Sequence, residues 1–576
     1  MRNISILGTN AGTDPRLNKN EPRCGLIKWR VSFRYRTQLV ALVTGLMIFT
    51  CSRVTNADQS GDWLFSTDGS TVSITGYVGS GGLVTVPGSI NSLPVTSLAD
   101  RAFYGNTAVK NVVIPDTVAS IGTSAFTDCT GITNIGLGNG VRDIGVWCFQ
   151  NCTNLPSINI PDTVTNIGAI AFGYCYRLTN INIGTGVSTL GVQPFYLCTN
   201  LTTITVDLLN GSFSTLNGAL FDHDQTTLIV WPAGKSGNYT VPVTVTNIGN
   251  DAFQYCYKLT NVVFPDGLVR IGNGAFYNCT NLSSPAFPTN LAFIGDYAFQ
   301  FSSKLTNIVL PASVINIGVA TFGQCAALAS FTVDPLNSSF SSVDGVLLDK
   351  SEKTLLQFPA AKLGSYVIPQ TVTSIGNSAF SGARGLTRVS IPAGVTNIGN
   401  NAFYGCSTLS GVVLPRLTTI QSGTFSFCNN LQNIFIPASV TNIDLAAFSS
   451  CGNLKGVFFE GGPPTLGSSV FVGANVATVY FTPGTTGWGV TFGARPTLLW
   501  NPSADTADST FGVQSNSFGF TIKGTMNIPV VVEVCTNLSS PAWIGLKSFN
   551  LTNGSVYISD AQWTNYSIRY FRFRSP

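Results

Sequence analysis

Apolar residues recur along most of the chain at fixed distances from a phenylalanine that returns every 23 residues. In the unit around Phe172, Ile181 and Ile183 have the two-residue spacing of a β-strand, and the polar Asn182 between them points outward. A second short apolar run ends at Ile167 and predicts a strand before the phenylalanine. The repeated phenylalanines are Phe103, Phe126, Phe149, Phe172, Phe195, Phe253, Phe276, Phe299, Phe322, Phe380, Phe403, Phe425, Phe448 and Phe471.

This pattern predicts a mainly β solenoid in which each unit is one coil with a short strand on each of two sides. A single coil cannot bury its apolar side, whereas stacked coils bury a continuous column. The segment AFGYC, residues 171–175, is expected to form one helical or 3₁₀ turn at the corner of a coil. The 14 phenylalanines predict about 14 coils.

Two insertions interrupt the period, and they resemble each other. They begin at Asp207 and Asp334, and each contains two apolar runs around a polar turn. Such a pattern is typical of a β-hairpin, so the solenoid is expected to carry two hairpin-bearing insertions.

The chain divides by pattern into segments on either side of the repeats. Residues 58–98 are expected to be an N-terminal β cap, 99–480 the solenoid and 481–500 a C-terminal cap. Residues 501–510 have the composition of a linker. Several short alternating runs in residues 511–576 predict a small all-β domain resembling a β-sandwich.

The repeat resembles the BspA-type leucine-rich repeat of bacterial surface proteins. The resemblance rests on the pattern IP-x-x-V-x-x-IG-x-x-AF-x-x-C-x-x-L-x-x-I-x-I at residues 160–183, which recurs along the chain. It implies a β-rich solenoid, display at the cell surface and a role in binding or adhesion, and it implies no catalytic residues. The repeat departs from this pattern at Pro194, Gln421 and Asp444, where altered corners are expected.

The N-terminal segment, residues 1–57, has the order of an export signal. Basic residues precede the apolar run 39–49, and small residues offer a cleavage site before Asp58. The apolar run is too short for a comfortable transmembrane helix. We therefore expect a secreted or cell-surface protein with no transmembrane span in the mature chain.

Charged residues make up only 10% of the chain, and the formal net charge is +4. The surface must therefore consist mainly of uncharged polar side chains, since the usual charged share is about a quarter. No basic patch is visible, so a nucleic acid partner is not expected.

A cysteine follows the phenylalanine by three residues in ten units, as Cys175 follows Phe172. A metal site needs converging ligands, and a column supplies one thiol per coil. Occasional disulfides between coils stay possible, with Cys148 as an irregular case, but a small buried core residue is the favoured interpretation. The ten are Cys129, Cys152, Cys175, Cys198, Cys256, Cys279, Cys325, Cys406, Cys428 and Cys451.

No motif of enzyme chemistry emerges from the residues. The single histidine, His223, lies between Asp222 and Asp224 and could bind a metal, but a solvated hairpin turn is favoured. We expect no catalytic residues, no metal and no cofactor. Paired carboxylates distant in sequence stay an open alternative.

The position between the two strand isoleucines faces outward, and in later coils it becomes apolar. Val413, Phe435 and Phe458 are the candidate binding face, with packing under the C-terminal domain or a hairpin as the alternative. The expected function is non-enzymatic binding of a protein or polysaccharide surface ligand by a monomer. The alternative is an extracellular carbohydrate-active protein with a C-terminal sugar-binding β-module. Trp543 and Trp563 could stack on sugar rings there, although packing in the core is the favoured interpretation.

Overall fold

A computed structural model describes residues 58–576, so the predicted export segment lies outside the described residues. Within residues 58–576 almost every regular element is a β-strand, and the one helical segment there is the 3₁₀ turn Trp563–Asn565. Parallel pairing between successive coils dominates; Asn166 and Ile167, for example, pair with Thr189 and Leu190 of the next coil. The predicted mainly β solenoid is confirmed.

One side of the solenoid, the short-strand side, carries strands of two residues stacked in parallel register. These strands are Ser120–Ile121, Asp143–Ile144, Asn166–Ile167, Thr189–Leu190, Asn247–Ile248, Arg270–Ile271, Phe293–Ile294, Asn316–Ile317, Ser374–Ile375, Asn397–Ile398, Thr419–Ile420, Asn442–Ile443 and Thr465–Leu466.

The other side, the long-strand side, carries strands of mostly four or five residues whose apolar positions alternate inward. These strands are Val109–Val113, Asn134–Gly136, Ser157–Ile160, Asn180–Ile183, Thr203–Val206, Gly237–Thr240, Leu259–Val263, Asn307–Leu310, Ser330–Val333, Gly364–Val367, Leu386–Ser390, Gly411–Val412, Asn433–Ile436, Gly456–Phe459 and Thr478–Phe481. Apart from the two insertions, the pairing lapses at three places: between Gly136 and Ser157, between Val263 and Asn307, and between Val412 and Asn433. In the second of these, Pro285 cannot donate a backbone hydrogen bond.

The corner that joins the two sides is not helical, contrary to the sequence-based expectation. Ile170 and Tyr174 have φ angles of +52° and +62°, so left-handed residues flank Phe172. The N–H groups of Ile170, Phe172 and Tyr174 donate to carbonyl oxygens of the next coil at 2.7–3.0 Å. The N–H groups of the residues between them, Ala171 and Gly173, donate to carbonyl oxygens three residues earlier in the same coil. Because every second N–H group bonds to the next coil, the corner has its own hydrogen-bond ladder along the solenoid.

The repeated phenylalanines form a column of rings at the centre of the solenoid. Within each uninterrupted run, successive ring centroids are 4.6–5.9 Å apart, as for Phe253 and Phe276 at 4.6 Å and Phe172 and Phe195 at 5.9 Å. The planes are close to parallel, for example 5° between Phe276 and Phe299. Offset stacking at such distances adds to the burial free energy of each ring.

The solenoid has about 18 turns rather than 14. The insertions contribute a coil each, because Trp231 and Phe358 occupy the ring position and continue the column onto Phe253 and Phe380. Residues expected as caps also wind as coils. The strand Val72–Tyr77 pairs in parallel with Leu93–Leu98, and Arg495–Leu499 pairs in parallel with Thr478–Phe481.

Each insertion contains the predicted hairpin, followed by a strand that rejoins the parallel ladder. The first comprises Phe213–Leu216, Ala219–Asp222 and Thr227–Val230, and the second Phe340–Val343, Val346–Asp349 and Thr354–Gln357. Further strands at the solenoid ends are Asp58–Ser60, Trp63–Thr67, Gly82–Thr85, Ser89–Ile90 and Thr491–Phe492.

The ten repeat cysteines are buried and unpaired, as the core interpretation predicts, but each also makes a directed contact. The thiol of Cys175 donates to the carbonyl oxygen of Phe149 in the preceding coil at 3.2 Å, and the other cysteines of the column repeat this contact. Where serine replaces cysteine, the Ser302 hydroxyl donates to Phe276 at 2.8 Å. Burial raises the pKa of Cys175 to about 12, so the thiol stays protonated.

Two of the three departures from the repeat leave the backbone contacts of the corner in place. The carbonyl oxygen of Pro194 accepts the usual hydrogen bond from the N–H of Phe172 at 2.9 Å, and only the N–H that proline lacks is lost. The backbone N–H of Asp444 donates to the carbonyl of Ile420 at 2.9 Å, as the glycine does elsewhere. At Gln421, by contrast, the short-strand ladder is interrupted, since Asn397–Ile398 and Thr419–Ile420 belong to different sheets. The expectation of altered corners is therefore wrong for the backbone contacts of Pro194 and Asp444 only.

The C-terminal residues form two small antiparallel sheets that share a hydrophobic core. One sheet consists of Ser503–Asp505, Gly512–Gln514, Ser517–Lys523 and Ser555–Asp560, and the other of Ile544–Asn550, Pro529–Cys535 and Tyr570–Arg574. Ser503–Asp505 pairs with the strand ending at Lys523, so the expectation of a linker over 501–510 is wrong at those residues.

Within residues 58–576 no helix has the length and hydrophobicity needed to cross a membrane.

The cysteine contact predicts a graded response to substitution at Cys175. Cys175→Ser should change the free energy of unfolding by less than about 1 kcal/mol, because Ser302 fills the same place naturally. Cys175→Ala should cost about 1 kcal/mol, since it removes a weak hydrogen bond and leaves a small void. Urea midpoints followed by circular dichroism measure both changes. Collapse of the fold in either variant, or stoichiometric metal in the purified protein, would contradict the structural role of the thiol.

Candidate binding surface

The predicted binding face divides into an exposed part and a covered part. Val413 is 75% exposed, directly after the strand Gly411–Val412, and Phe435 in the next coil is 37% exposed. Phe435 stacks on Phe458 with 5.1 Å between ring centroids. Phe458 itself is only 6% exposed, so its assignment to an exposed face is wrong.

Phe458 is covered because the C-terminal sheets pack on it. Phe458 and Tyr480 stack at 4.7 Å and belong to one hydrophobic core with Phe520, Val530 and neighbouring residues of the two sheets. The indole N–H of Trp500 donates to the carbonyl of Pro529 at 2.8 Å across the same region. The alternative interpretation of the outward aromatic positions, packing under the C-terminal domain, therefore holds for Phe458.

Earlier coils place polar side chains at the same outward position. Asn182 donates to the side-chain oxygen of Asn159 at 2.5 Å, and the Thr205 hydroxyl contacts the side-chain oxygen of Asn182. Exposed valines occupy this position in several other coils, and the exposed Ala286 lies between two of them. Polar residues such as Thr332 and Ser390 interrupt the row, so no continuous apolar stripe runs along the described solenoid. The valines are Val113, Val263, Val309, Val367 and Val413.

The hairpin with the single histidine is organised as a turn. The Asp222 carboxylate accepts hydrogen bonds from the backbone N–H groups of Thr226 and Thr227 at 2.8 and 2.9 Å. His223 Nδ1 lies 3.2 Å from the carbonyl oxygen of Asn210. Asp349 holds the matching turn of the second hairpin in the same way, through the N–H of Thr354 at 2.8 Å. The repeated geometry supports the turn interpretation.

A row of tyrosines at the solenoid corner was missed by the sequence reasoning. From Tyr174 to Tyr196, Tyr255 and Tyr277, successive ring centroids are 5.3, 5.4 and 5.6 Å apart, and adjacent planes are nearly perpendicular. Tyr176 is 41% exposed and the other rings are partly buried. The tyrosine row consists of Tyr174, Tyr176, Tyr196, Tyr255, Tyr257 and Tyr277.

The first insertion brings this row together. Its coil has only six residues between Val230 and Gly237, against twelve between Ile167 and Asn180 in an ordinary coil, so it has no corner. The corners before and after the inserted coil therefore meet, and the hydroxyl oxygens of Tyr196 and Tyr255 are 3.0 Å apart. The duplicated sequences GYCY, 173–176, and QYCY, 254–257, were the available signal.

Asp251 is the acidic residue set within this corner. Burial raises the pKa of Asp251 to about 6, and a hydrogen bond from Gln193 of the preceding corner opposes the shift. Gln254 also donates to its carboxylate at 3.1 Å. The raised pKa places its change of charge in the mildly acidic range.

The two C-terminal tryptophans proposed for sugar stacking each already have a partner. The Arg572 guanidinium lies 4.3 Å from the centroid of the Trp543 ring, so it covers one face. The indole N–H of Trp563 donates to the carbonyl of Asn516 at 3.3 Å. The remaining ring surfaces are partly buried.

Because Phe458 is covered and Val413 is exposed, alanine substitution at these two equivalent positions should have different effects on stability. Phe458→Ala should lower the free energy of unfolding by about 3 kcal/mol and loosen the C-terminal domain, because it empties part of a shared core. Val413→Ala, the matched exposed control, should change it by less than about 0.5 kcal/mol. Urea unfolding and limited proteolysis measure both effects. Equal costs for the two variants would contradict the docking.

The raised pKa of Asp251 predicts a pH-dependent effect on stability. Between about pH 4 and pH 6 the folded chain holds a proton that the unfolded chain releases, so this group lowers stability as the pH rises through that window. Asp251→Asn should therefore stabilise the protein by roughly 1–2 kcal/mol at pH 7.5 and hardly at all at pH 3.5. Urea midpoints at the two pH values measure the difference. The exposed Asp266→Asn serves as control, and an equal gain there would contradict the assignment to Asp251.

Comparison with known proteins identifies the repeat. The model of the BspA-type leucine-rich repeat region matches in six copies over residues 96–227, 235–344 and 357–477, more than half of the chain. A leucine-rich cell surface protein of Faecalibacterium prausnitzii is 25% identical, over 74% of this chain and 95% of its own, with a TM-score of 0.35. A leucine-rich repeat protein of Bacteroides ovatus is 24% identical, over 74% and 94% of the two chains, with a TM-score of 0.36. The pneumococcal vaccine antigen PcpA is 20% identical, over 61% and 100%, with a TM-score of 0.42. A search among curated proteins found no significant match. Because the repeat model covers most of the solenoid, the chain belongs to the BspA-type leucine-rich repeat family.

Proposed function

We propose that this protein acts outside the cell, secreted or at the cell surface, as a non-catalytic monomer that adheres to a protein or a polysaccharide. The observation that carries the proposal is the parallel register of the coils, which sets side chains of equivalent position in rows about 4.8 Å apart. Rows of this kind form an extended surface for recognition, the usual way in which solenoid proteins bind.

The chemistry of the surface supports recognition by shape and uncharged polar groups. Charged residues are scarce, so long-range electrostatic steering of a partner is weak. Val413 and Phe435 lie on adjacent coils and offer exposed apolar area at one end of the long-strand side. We propose this pair as the candidate contact surface of the later coils.

A carbohydrate-active protein with a sugar-binding C-terminal module is the weaker candidate. Trp543 is covered on one face by Arg572, and the C-terminal sheets use their apolar surface to dock on Phe458 and Tyr480. For the same reason an isolated C-terminal fragment would lose part of its core, and binding experiments should use the full chain.

Capture of surface components by immobilised full-length protein tests the proposed function. A specific protein or polysaccharide should be retained from cell-surface extracts, and Val413→Asp should reduce its affinity at least tenfold, because it places a charge in the apolar contact. Val309→Asp changes an equally placed exposed valine in an earlier coil and should leave the affinity unchanged.

Two results would contradict the proposal. The first is the absence of any ligand that is retained at reproducible stoichiometry. The second is hydrolysis of a polysaccharide panel by the full-length chain, lost when one acidic residue is substituted, since that would establish catalysis.

A further inference from the structure

The second insertion closes a corresponding junction without tyrosines. At the positions 127 residues after Tyr196 and Tyr255 the chain has Gly323 and Gly382. There the corners meet through Gln324, whose backbone N–H donates to the Ser381 carbonyl at 3.2 Å and whose side-chain amide donates to the Ser381 hydroxyl at 3.1 Å. Closing a junction of this kind therefore does not by itself call for a row of aromatic rings.

The geometry of the row is that of a narrow track rather than a broad patch. One ring follows the next at 5.3–5.6 Å across successive corners, so the rings lie in single file along the solenoid. This spacing is close to the length of one hexose unit in an extended glycan. A protein interface of standard size needs about 800 Å² from each partner with a compact apolar centre, which a single file of half-buried rings does not provide.

The chemistry of the row suits a ligand that has both apolar faces and hydroxyl groups. Tyrosine has an apolar ring and a polar tip, so it can pack against the C–H face of a sugar and exchange hydrogen bonds with its hydroxyls. Amide side chains line the same corner: Asn278 donates to the Tyr257 hydroxyl at 3.3 Å, and Asn200 donates to the Tyr176 carbonyl at 2.7 Å.

The charges beside the row are few and of both signs. Arg177 and Lys258 follow Tyr176 and Tyr257 in the chain and are exposed, and the Asp251 carboxylate lies within the corner. Such a mixture offers no concentrated field for a strongly charged polymer.

We propose that the tyrosine row is a binding site for an uncharged, linear hexose oligosaccharide of three or four units. The sugar rings pack along Tyr174, Tyr196, Tyr255 and Tyr277, and the outer pair Tyr176 and Tyr257 forms one wall of the track. This inference rests on the proposed binding function, for which it names a ligand class and a second site distinct from Val413 and Phe435.

Titration of the full-length protein with defined hexasaccharides tests the site. The probes are β-1,4-glucan, β-1,3-glucan, α-1,4-glucan and β-1,4-mannan hexamers, with polygalacturonate hexamer as the charged comparison. We expect at least one neutral hexamer to bind more tightly than the charged one. Tyr176→Ala combined with Tyr257→Ala should weaken that binding at least tenfold, because it removes one wall of the track, including Tyr176, the most exposed ring of the row.

Two further variants separate binding from folding. Tyr404→Ala changes the tyrosine 127 residues after Tyr277, away from the row, and should leave affinity unchanged. Tyr176→Phe combined with Tyr257→Phe keeps both rings, so it should preserve the unfolding midpoint and weaken binding by a few fold through loss of hydroxyl contacts. If the alanine variant fails to fold, the affinity of this phenylalanine variant for the neutral hexamer tests the site.

Several outcomes would overturn the assignment. They are no binding of any neutral hexamer, binding of the charged hexamer alone, and binding that neither tyrosine pair alters. If the tyrosine variants instead abolish capture of a surface protein, the row is a protein-binding site and the glycan assignment fails, while the proposed function stands. If Val413→Asp abolishes capture of a surface protein and the tyrosine variants do not, that protein binds at Val413 and not at the tyrosine row. The hexamer titrations then decide the glycan assignment by themselves.

Discussion

The stacking of each coil on the one before it in fixed parallel register is the constraint on which the rest of the structure depends. Two strand ladders and a corner ladder hold adjacent coils together, and the register puts Phe276 on Phe253 and Phe299 on Phe276. An apolar residue in the column is surrounded by copies of itself, so its size is closely limited. Residues on the outer faces also have register neighbours, as Asn159 and Asn182 do, but solvent bounds them on one side, so their size is less closely limited.

The two insertions show what happens when one ladder is interrupted while the others continue. In each, the short coil keeps its ring, Trp231 or Phe358, in the central column but has too few residues for a corner. Corners that belong to non-consecutive coils are therefore placed in contact. This creates two corresponding junctions with different contacts, one lined by tyrosines and one joined through Gln324 and Ser381. Duplication followed by divergence of such a junction is a simple route to a new surface.

Features that repeat were accessible from the sequence, and features that depend on a distant segment were not. The 23-residue period predicted the strands around Ile167 and Ile181, because each coil meets the same requirement for burial. The corner was misjudged since the left-handed residues Ile170 and Tyr174 are not glycines, and their N–H groups bond to the next coil rather than locally. Phe458 and Val413 share a position in the repeat, yet only Phe458 meets the C-terminal sheets, and nothing within either unit distinguishes them.

Because ten thiols line one buried column, the time for which this protein stays folded depends on how rarely a coil opens. In the folded state each thiol is buried, and Cys152, Cys175 and Cys198 each donate to a backbone carbonyl of the preceding coil. In an oxidising medium, transient opening of adjacent coils would expose the thiols of neighbouring coils, and a disulfide formed at that moment would prevent the coils from closing again. The lifetime of the folded protein outside a reducing compartment would then be set by the rate of local opening, and not by the equilibrium between folded and unfolded chains.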